Sequence, residues 1–195
     1  MTMTMDRDEA EKALAEIRDA RGRADRARSY ADASPFFILW GLIWLVANVV
    51  TGLAPELSGP AWLAGLAIGS VATVWLSVRQ ARRRGAQALQ EGRDMGEEGA
   101  RTGMTMGAIA LFLMALFFVV WPLDARQMNS AISLFWAFAY LAAGIWLGWR
   151  LAAIGAATAA AILFGYFALD AFYFIWMGLA AGGGLIAGGL WLRTI

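Results

Sequence analysis

Residues 35–54 read PFFILWGLIWLVANVVTGLA, a stretch without one charged side chain. A helix rising 1.5 Å per residue needs about 20 apolar residues to cross a hydrocarbon core about 30 Å thick. Five further uncharged runs of similar length follow at 61–78, 104–121, 130–149, 152–168 and 172–191. Every Asp, Glu, Lys and Arg falls outside the six runs, as expected if a central charge costs about 2.5–3.5 kcal/mol to insert. The expected fold is an all-α membrane protein, a six-transmembrane-helix bundle of three helical hairpins.

Composition agrees with that pattern. Of the 195 residues, 60% are hydrophobic and 16% charged, with 22 Gly besides. A soluble domain carries about 25% charged residues and cannot hide this much apolar surface. With neither Cys nor His, the chain excludes disulfides, haem ligation, ordinary zinc sites and Ser-His or Cys-His nucleophilic catalysis. No cofactor, no metal and no catalytic residue is expected. An ionisable group inside the bilayer, the usual mark of a proton relay or ion coupling, is missing from the runs.

Between Asn129 and Leu169 there is almost no polar loop, so one long helix is the rival reading. It would run about 60 Å and leave half its apolar length in water. A tight turn at Gly148-Trp149-Arg150-Leu151 avoids that, with Arg150 at the interface.

Orientation follows from the basic residues. Seven, from Arg7 to Arg28, precede the first run, and Arg79, Arg82, Arg83, Arg84, Arg93 and Arg101 lie between the second and third. Arg150 and Arg193 fall on the same side, leaving Arg126 alone on the other. The positive-inside rule places both termini in the cytoplasm. The start of the chain lacks a basic n-region and short apolar core, so the first span is expected to act as an uncleaved insertion signal. A bias to Arg, Ala and Gly with a single Lys suggests a bacterial inner (plasma) membrane.

Residues 1–34 form an expected cytoplasmic unit ahead of a membrane domain over 35–195. Asp6 and Glu9 make a capping box, and Asp8/Lys12, Asp19/Arg23 and Asp25/Arg28 pair at helical spacing. Ser34-Pro35 then predicts an N-cap and first-turn proline opening the first span, and Gly59-Pro60 repeats the device. The loop 79–103 should continue helically to Gln90 before Gly92, Gly96, Gly99 and Gly103 break it. Trp75-Leu76, Trp146-Leu147 and Trp191-Leu192, each followed by Arg, hint at a repeat of hairpins.

Four groups are candidate sites. Trp40, Trp44, Asn48 and Thr51 share one helical face; they are helix–helix glue or the wall of a ligand site. Gly182, Gly183, Gly184 and Gly188, with the Gly/Ala-rich run 152–161, allow close packing or a mid-span hinge. On that basis the fifth span is expected to be the most buried, with Ala156 and Ala160 in contact. Glu56, Asp124 and Asp170 cap helices or, if the hairpins converge, form a cation site. Arg79, Arg82, Arg83 and Arg84 act as a stop-transfer cluster that also meets anionic lipid headgroups.

The resulting expectation is a non-enzymatic polytopic membrane protein acting by protein–protein interaction or regulation through its cytoplasmic face. Its expected partners are membrane lipids, further copies of itself as a homo-oligomer and a cytoplasmic protein; mixed charge near the Arg cluster argues against nucleic acid. The alternative is a small transporter or channel for an apolar or uncharged solute. A third option is a lipid-modifying enzyme using the outer carboxylates.

Overall fold

The structure, a computed structural model, describes residues 7–90 and 122–194, together with isolated positions between 104 and 120. The Asp6–Glu9 capping box, the end of the 79–103 loop and eight of the eighteen residues of the third predicted span lie outside the described residues. Every regular element among the described residues is helical. Helix α1 is Arg7–Leu53, α2 is Ser58–Gln90, α3 is Ala125–Leu147 and α4 is Trp149–Ala168. The last, α5, is Tyr173–Trp191. These five are long and apolar enough to cross a membrane.

The predicted break at Ser34-Pro35 does not occur. Helix α1 is continuous for 47 residues with Pro35 inside it, about 70 Å from end to end. Ser34 finds a better partner than its own helix. Its buried hydroxyl donates to the Gly189 carbonyl of α5 at 2.7 Å and accepts from Arg193 Nε at 2.8 Å. Tyr30 and Phe37, on either side of the proline, are both buried in one cluster with Leu151, Ile154, Leu185 and Leu192. Contacts on both flanks hold the turn that Pro35 weakens by removing one backbone hydrogen bond.

A single 3₁₀ turn, Pro55–Leu57, reverses the chain between α1 and α2. Between α3 and α4 the reversal needs one residue, Gly148, at φ +127°, a backbone region closed to side chains with a Cβ. A Cβ there would also strike the Tyr30 hydroxyl. The turn predicted at 148–151 is therefore present and tighter than expected.

Small residues set the helix spacings. A Cβ at Gly41 would lie 2.8 Å from the Gly182 carbonyl oxygen, and one at Gly182 would lie 2.6 Å from Leu45 N. Helices α1 and α5 thus pack backbone to backbone, continued by Gly52 on Ile175, Gly178 on Val49 and Gly189 on Ile38. Gly65 and Gly69 of α2 receive Ile43 and Trp40, and Gly155 of α4 receives the α3 backbone at Ala137 and Leu141.

The expectation for the fifth span is corrected. Among the five described spans the most enclosed is α5, with 39% of its most apolar stretch buried against 33% for α4. Glycines let α5 sink against both α1 and α4, whereas Ala156 and Ala160 of α4 are exposed. Replacing either Ala by Leu should therefore change stability by no more than about 0.5 kcal/mol. Gly155→Ala should cost about 1–3 kcal/mol, because its Cβ would lie 2.5 Å from Leu141 N. Unfolding titrations in detergent check both.

Candidate functional site

The alternating directions of the helices gather the end of α1, the starts of α2, α3 and α5 and the end of α4 at one pole of the bundle. A connected set of buried polar groups occupies this end. On α1, Asn48 donates to the Trp44 carbonyl at 2.9 Å, and its own Oδ1 accepts from Asn129 Nδ2 of α3 at 3.0 Å. Asn129 Oδ1 accepts from the Tyr173 hydroxyl of α5 at 3.1 Å, and Ser130 Oγ lies 2.6 Å from the same hydroxyl. Either hydroxyl can donate across the Ser130–Tyr173 contact. Asn48, Asn129 and Ser130 are all buried, and Tyr173 is 1% exposed. Three helices are thereby tied together by amide and hydroxyl bonds, each worth roughly 0.6–2 kcal/mol in a bilayer.

The members of the predicted α1 face, Trp40, Trp44, Asn48 and Thr51, serve different neighbours. Trp44 Nε1 donates to Ser133 Oγ of α3 at 3.1 Å, and Trp40 Nε1 donates to Thr73 Oγ1 of α2 at 3.1 Å. Thr51 donates to the Ala47 carbonyl and accepts from Trp62 Nε1 at 3.2 Å, with Ser58 Oγ 2.9 Å away. The Trp44 and Trp62 rings meet edge to face at 4.9 Å. Each polar atom on this face engages another helix or its own backbone, the arrangement that hydrocarbon demands.

At the rim of the same pole stands Arg126, in the first turn of α3. Its guanidinium lies over the rings of Tyr166 and Tyr173, at 4.9 and 5.1 Å from their centroids. Nη1 pairs with the Asp170 carboxylate and Nη2 donates to the Tyr166 carbonyl. Nε is buried and makes no hydrogen bond. The cation is fixed chiefly by stacking and by the backbone acceptor, since the Asp170 side chain is 95% exposed and such ion pairs contribute little.

The acids Glu56, Asp124 and Asp170 do not converge. Asp124 is the N-cap of α3, accepting from Gln127 N at 2.7 Å while Gln127 Oε1 accepts from Asp124 N. Asp170 serves Arg126, and Glu56 lies on the turn between α1 and α2. Among the described residues no group of three or more acids is placed to hold a metal ion.

At the opposite pole, Arg84 pairs with Asp32 at 2.5 Å, and Gln80 donates to the Asp32 carbonyl at 2.8 Å. Arg79 stacks on Trp75 at 5.3 Å, while Arg82 and Arg83 are exposed. Arg150 donates to the Trp191 carbonyl and to Thr194, closing the end of α5. Of the glycine group, Gly182 and Gly188 are packed, whereas a Cβ at Gly183 or Gly184 would meet nothing. The triplet therefore divides into one contact glycine and two free ones.

Arg126, Asn129, Ser130, Tyr166 and Tyr173 are the site residues that the sequence reading missed. Arg126, Asn129, Ser130 and Ser133 recur at helical spacing, so they could have been joined into one face. Starting the fourth span at residue 130 hid this. The capping pair Asp124-x-x-Gln127 was the readable sign that the helix begins earlier.

No family model matches the chain, and no curated protein or solved structure matches it significantly.

Proposed function

We propose that this is a non-enzymatic inner-membrane protein of six spans, both termini cytoplasmic, that works by holding a protein partner or further copies of itself at its cytoplasmic face. The supporting observation is the uninterrupted α1. Residues 7–34 continue the first span as a rod about 40 Å long, steadied near the membrane by Asp32–Arg84 and Gln80. Along this rod Leu14 and Ile17 are exposed among charges, a surface suited to a partner helix. The polar groups inside the bundle favour the same reading, because they bind one another. Arg79, Arg82 and Arg83 are assigned to anionic headgroups of the cytoplasmic leaflet, each contributing about 1 kcal/mol near the surface.

Deleting residues 2–24 tests the proposal while sparing the buried Tyr30 and the Asp32 contacts. The expected result is loss of co-purifying partners, or of the oligomer, from a bundle that still folds. An unchanged partner set and oligomeric state would overturn it. Topology is testable separately, because the chain has no Cys. Cysteines placed at Glu56 and near the N-terminus should label from opposite sides of intact cells.

The alternative, a small transporter or channel for an apolar or uncharged solute, draws support from one feature. Residues Met177–Gly182 of α5 are π-helical, and π segments occur often at functional sites. Solute flux in proteoliposomes that depends on Tyr173 would favour this reading over the first.

A further inference from the structure

Along the rod of α1 the apolar residues Ala10, Ala13, Ile17, Ala20, Ala24, Ala27 and Ala31 follow one another at alternating steps of three and four. That is the a and d pattern of a coiled coil kept for about three heptads, with Glu16, Arg21, Arg23 and Arg28 in the flanking e and g places. The structure leaves this seam open. Ile17 and its neighbour Leu14 are exposed, and so are Ala20, Ala24 and Ala31. A Cβ at Gly22 would approach only Arg26 of the same helix, although helices in proteins gain most of their stability from packing. Asp32, which holds α2, and Ser34, which holds α5, fall on opposite sides of Ala31, each within about 100° of it around the helix. The seam therefore faces out between α2 and α5. Inside the bilayer the same side of α1 continues through Leu42, Val46 and Leu53, all exposed.

We propose that two copies of the chain pair along this seam as a parallel, in-step, two-stranded coiled coil; the inference rests on the function proposed above and commits its cytoplasmic rod to a second copy as partner. Two copies inserted in the same direction in one membrane close a symmetric pair about an axis normal to the bilayer. Their rods then run parallel, so that Ile17 meets Ile17 and Ala24 meets Ala24. A β-branched Ile at an a place favours two strands, and alanine elsewhere on the seam lets the backbones come close. Glu16 falls opposite Arg21 of the second copy on both edges of the seam. Arg23 falls opposite Arg28, and Asp19 and Asp25, one turn away on the same helices, offset that like pair. In the bilayer the pairing turns Leu42, Val46 and Leu53 of the two copies toward each other and brings α2 of one copy beside α5 of the other. Of the described spans α2 is the least enclosed, with 6% of its most apolar stretch buried, so its free side is open to that contact. A seam made mostly of methyl groups suffices because a shared membrane holds the two rods at high effective concentration.

Oxidative crosslinking tests the pairing, because the full chain has no Cys of its own and the rod tolerates single substitutions on its exposed surface. Ile17→Cys, Ala20→Cys and Ala24→Cys, each in vesicles at a high lipid-to-protein ratio, should give disulfide-linked dimers. Ala15→Cys, Gly22→Cys and Ser29→Cys, on the far side of the rod, should not, since residues with Cα atoms more than about 7 Å apart cannot be bridged. In the Ile17→Cys chain, Ala24→Glu places two carboxylates face to face and should lower the dimer yield by about tenfold, whereas Gly22→Glu leaves it unchanged. Equal yields on the seam and on the far side, or no dimer at any position, would overturn the proposal. The broader reading fails separately. If deleting residues 2–24 removes a co-purifying protein while the seam cysteines never link, the cytoplasmic face holds a different partner and only the self-pairing is lost. If the deletion changes neither partners nor oligomeric state, the proposed function falls with it.

Discussion

Gly182→Ala should destabilise the bundle by about 2–3 kcal/mol, while Gly184→Ala two residues later is neutral or stabilises it by up to about 1 kcal/mol. The added methyl group is the same; its surroundings differ. At Gly182 it would sit 2.6 Å from Leu45 N, 2.8 Å from Leu45 Cα and 2.9 Å from the Gly41 carbonyl oxygen, all backbone atoms that cannot swing aside. Helices α1 and α5 must then separate, and the neighbouring contacts of Gly41, Gly178 and Gly189 loosen together. At Gly184 the methyl group meets no neighbour and only removes conformational freedom from the unfolded chain. Unfolding titrations of the two variants in the same detergent decide the matter. Equal effects at the two positions would mean that α1 and α5 do not approach as closely as described.

Asn129→Leu should cost about 2 kcal/mol, and Asn48→Leu about as much, yet the double variant should cost far less than their sum. Either single change leaves a buried amide facing hydrocarbon without its partner, at a penalty of about 1–3 kcal/mol. Changing both removes the pair and its desolvation together. The coupling expected from a double-mutant cycle lies within the roughly 0.6–2 kcal/mol of interhelical hydrogen bonds in membranes. Tyr173 should make Asn129→Leu slightly the worse of the two singles, since its hydroxyl loses the 3.1 Å acceptor and keeps Ser130 Oγ at 2.6 Å and the Arg126 carbonyl at 3.4 Å. Strict additivity at Asn48 and Asn129 would show that the two amides do not meet in the native state.

Membrane residence and helix positions were legible because they depend on counting. Uncharged runs of spanning length, and Gly148 between two of them, led to α1, α2, α3, α4 and α5 within a few residues of their observed ends inside the apolar zone. The face carrying Trp40, Trp44, Asn48 and Thr51 was also legible, since 3.6-residue periodicity requires no partner. The readings that failed depended on partners. Ser34-Pro35 has the local form of a helix start, but the tertiary contacts of Ser34, Tyr30 and Phe37 keep the helix running through it. The run 152–161 looked like a central strip of contacts, but small residues can equally lie at the surface, and Ala156 and Ala160 do. In Gly182-Gly183-Gly184 the residues are chemically identical, and the rotation of α5 against α1 alone separates the packed one from the free two.

Hydropathy and charge placement, both local properties of the chain, determined by themselves that this protein is helical and membrane-embedded, where its helices lie and which poles carry its basic residues. Only the tertiary structure decided that α5 is the most enclosed helix, that Asn48, Asn129, Ser130 and Tyr173 form one connected group, and that Arg126 is stacked between two tyrosines. The reason is physical. A bilayer selects segments by their transfer free energy, which sums along the sequence, whereas lipid is as apolar as the helices it surrounds and does not specify which face meets which. That choice falls to backbone approach at glycine and to the pairing of the few polar groups, and both depend on residues far apart in the chain.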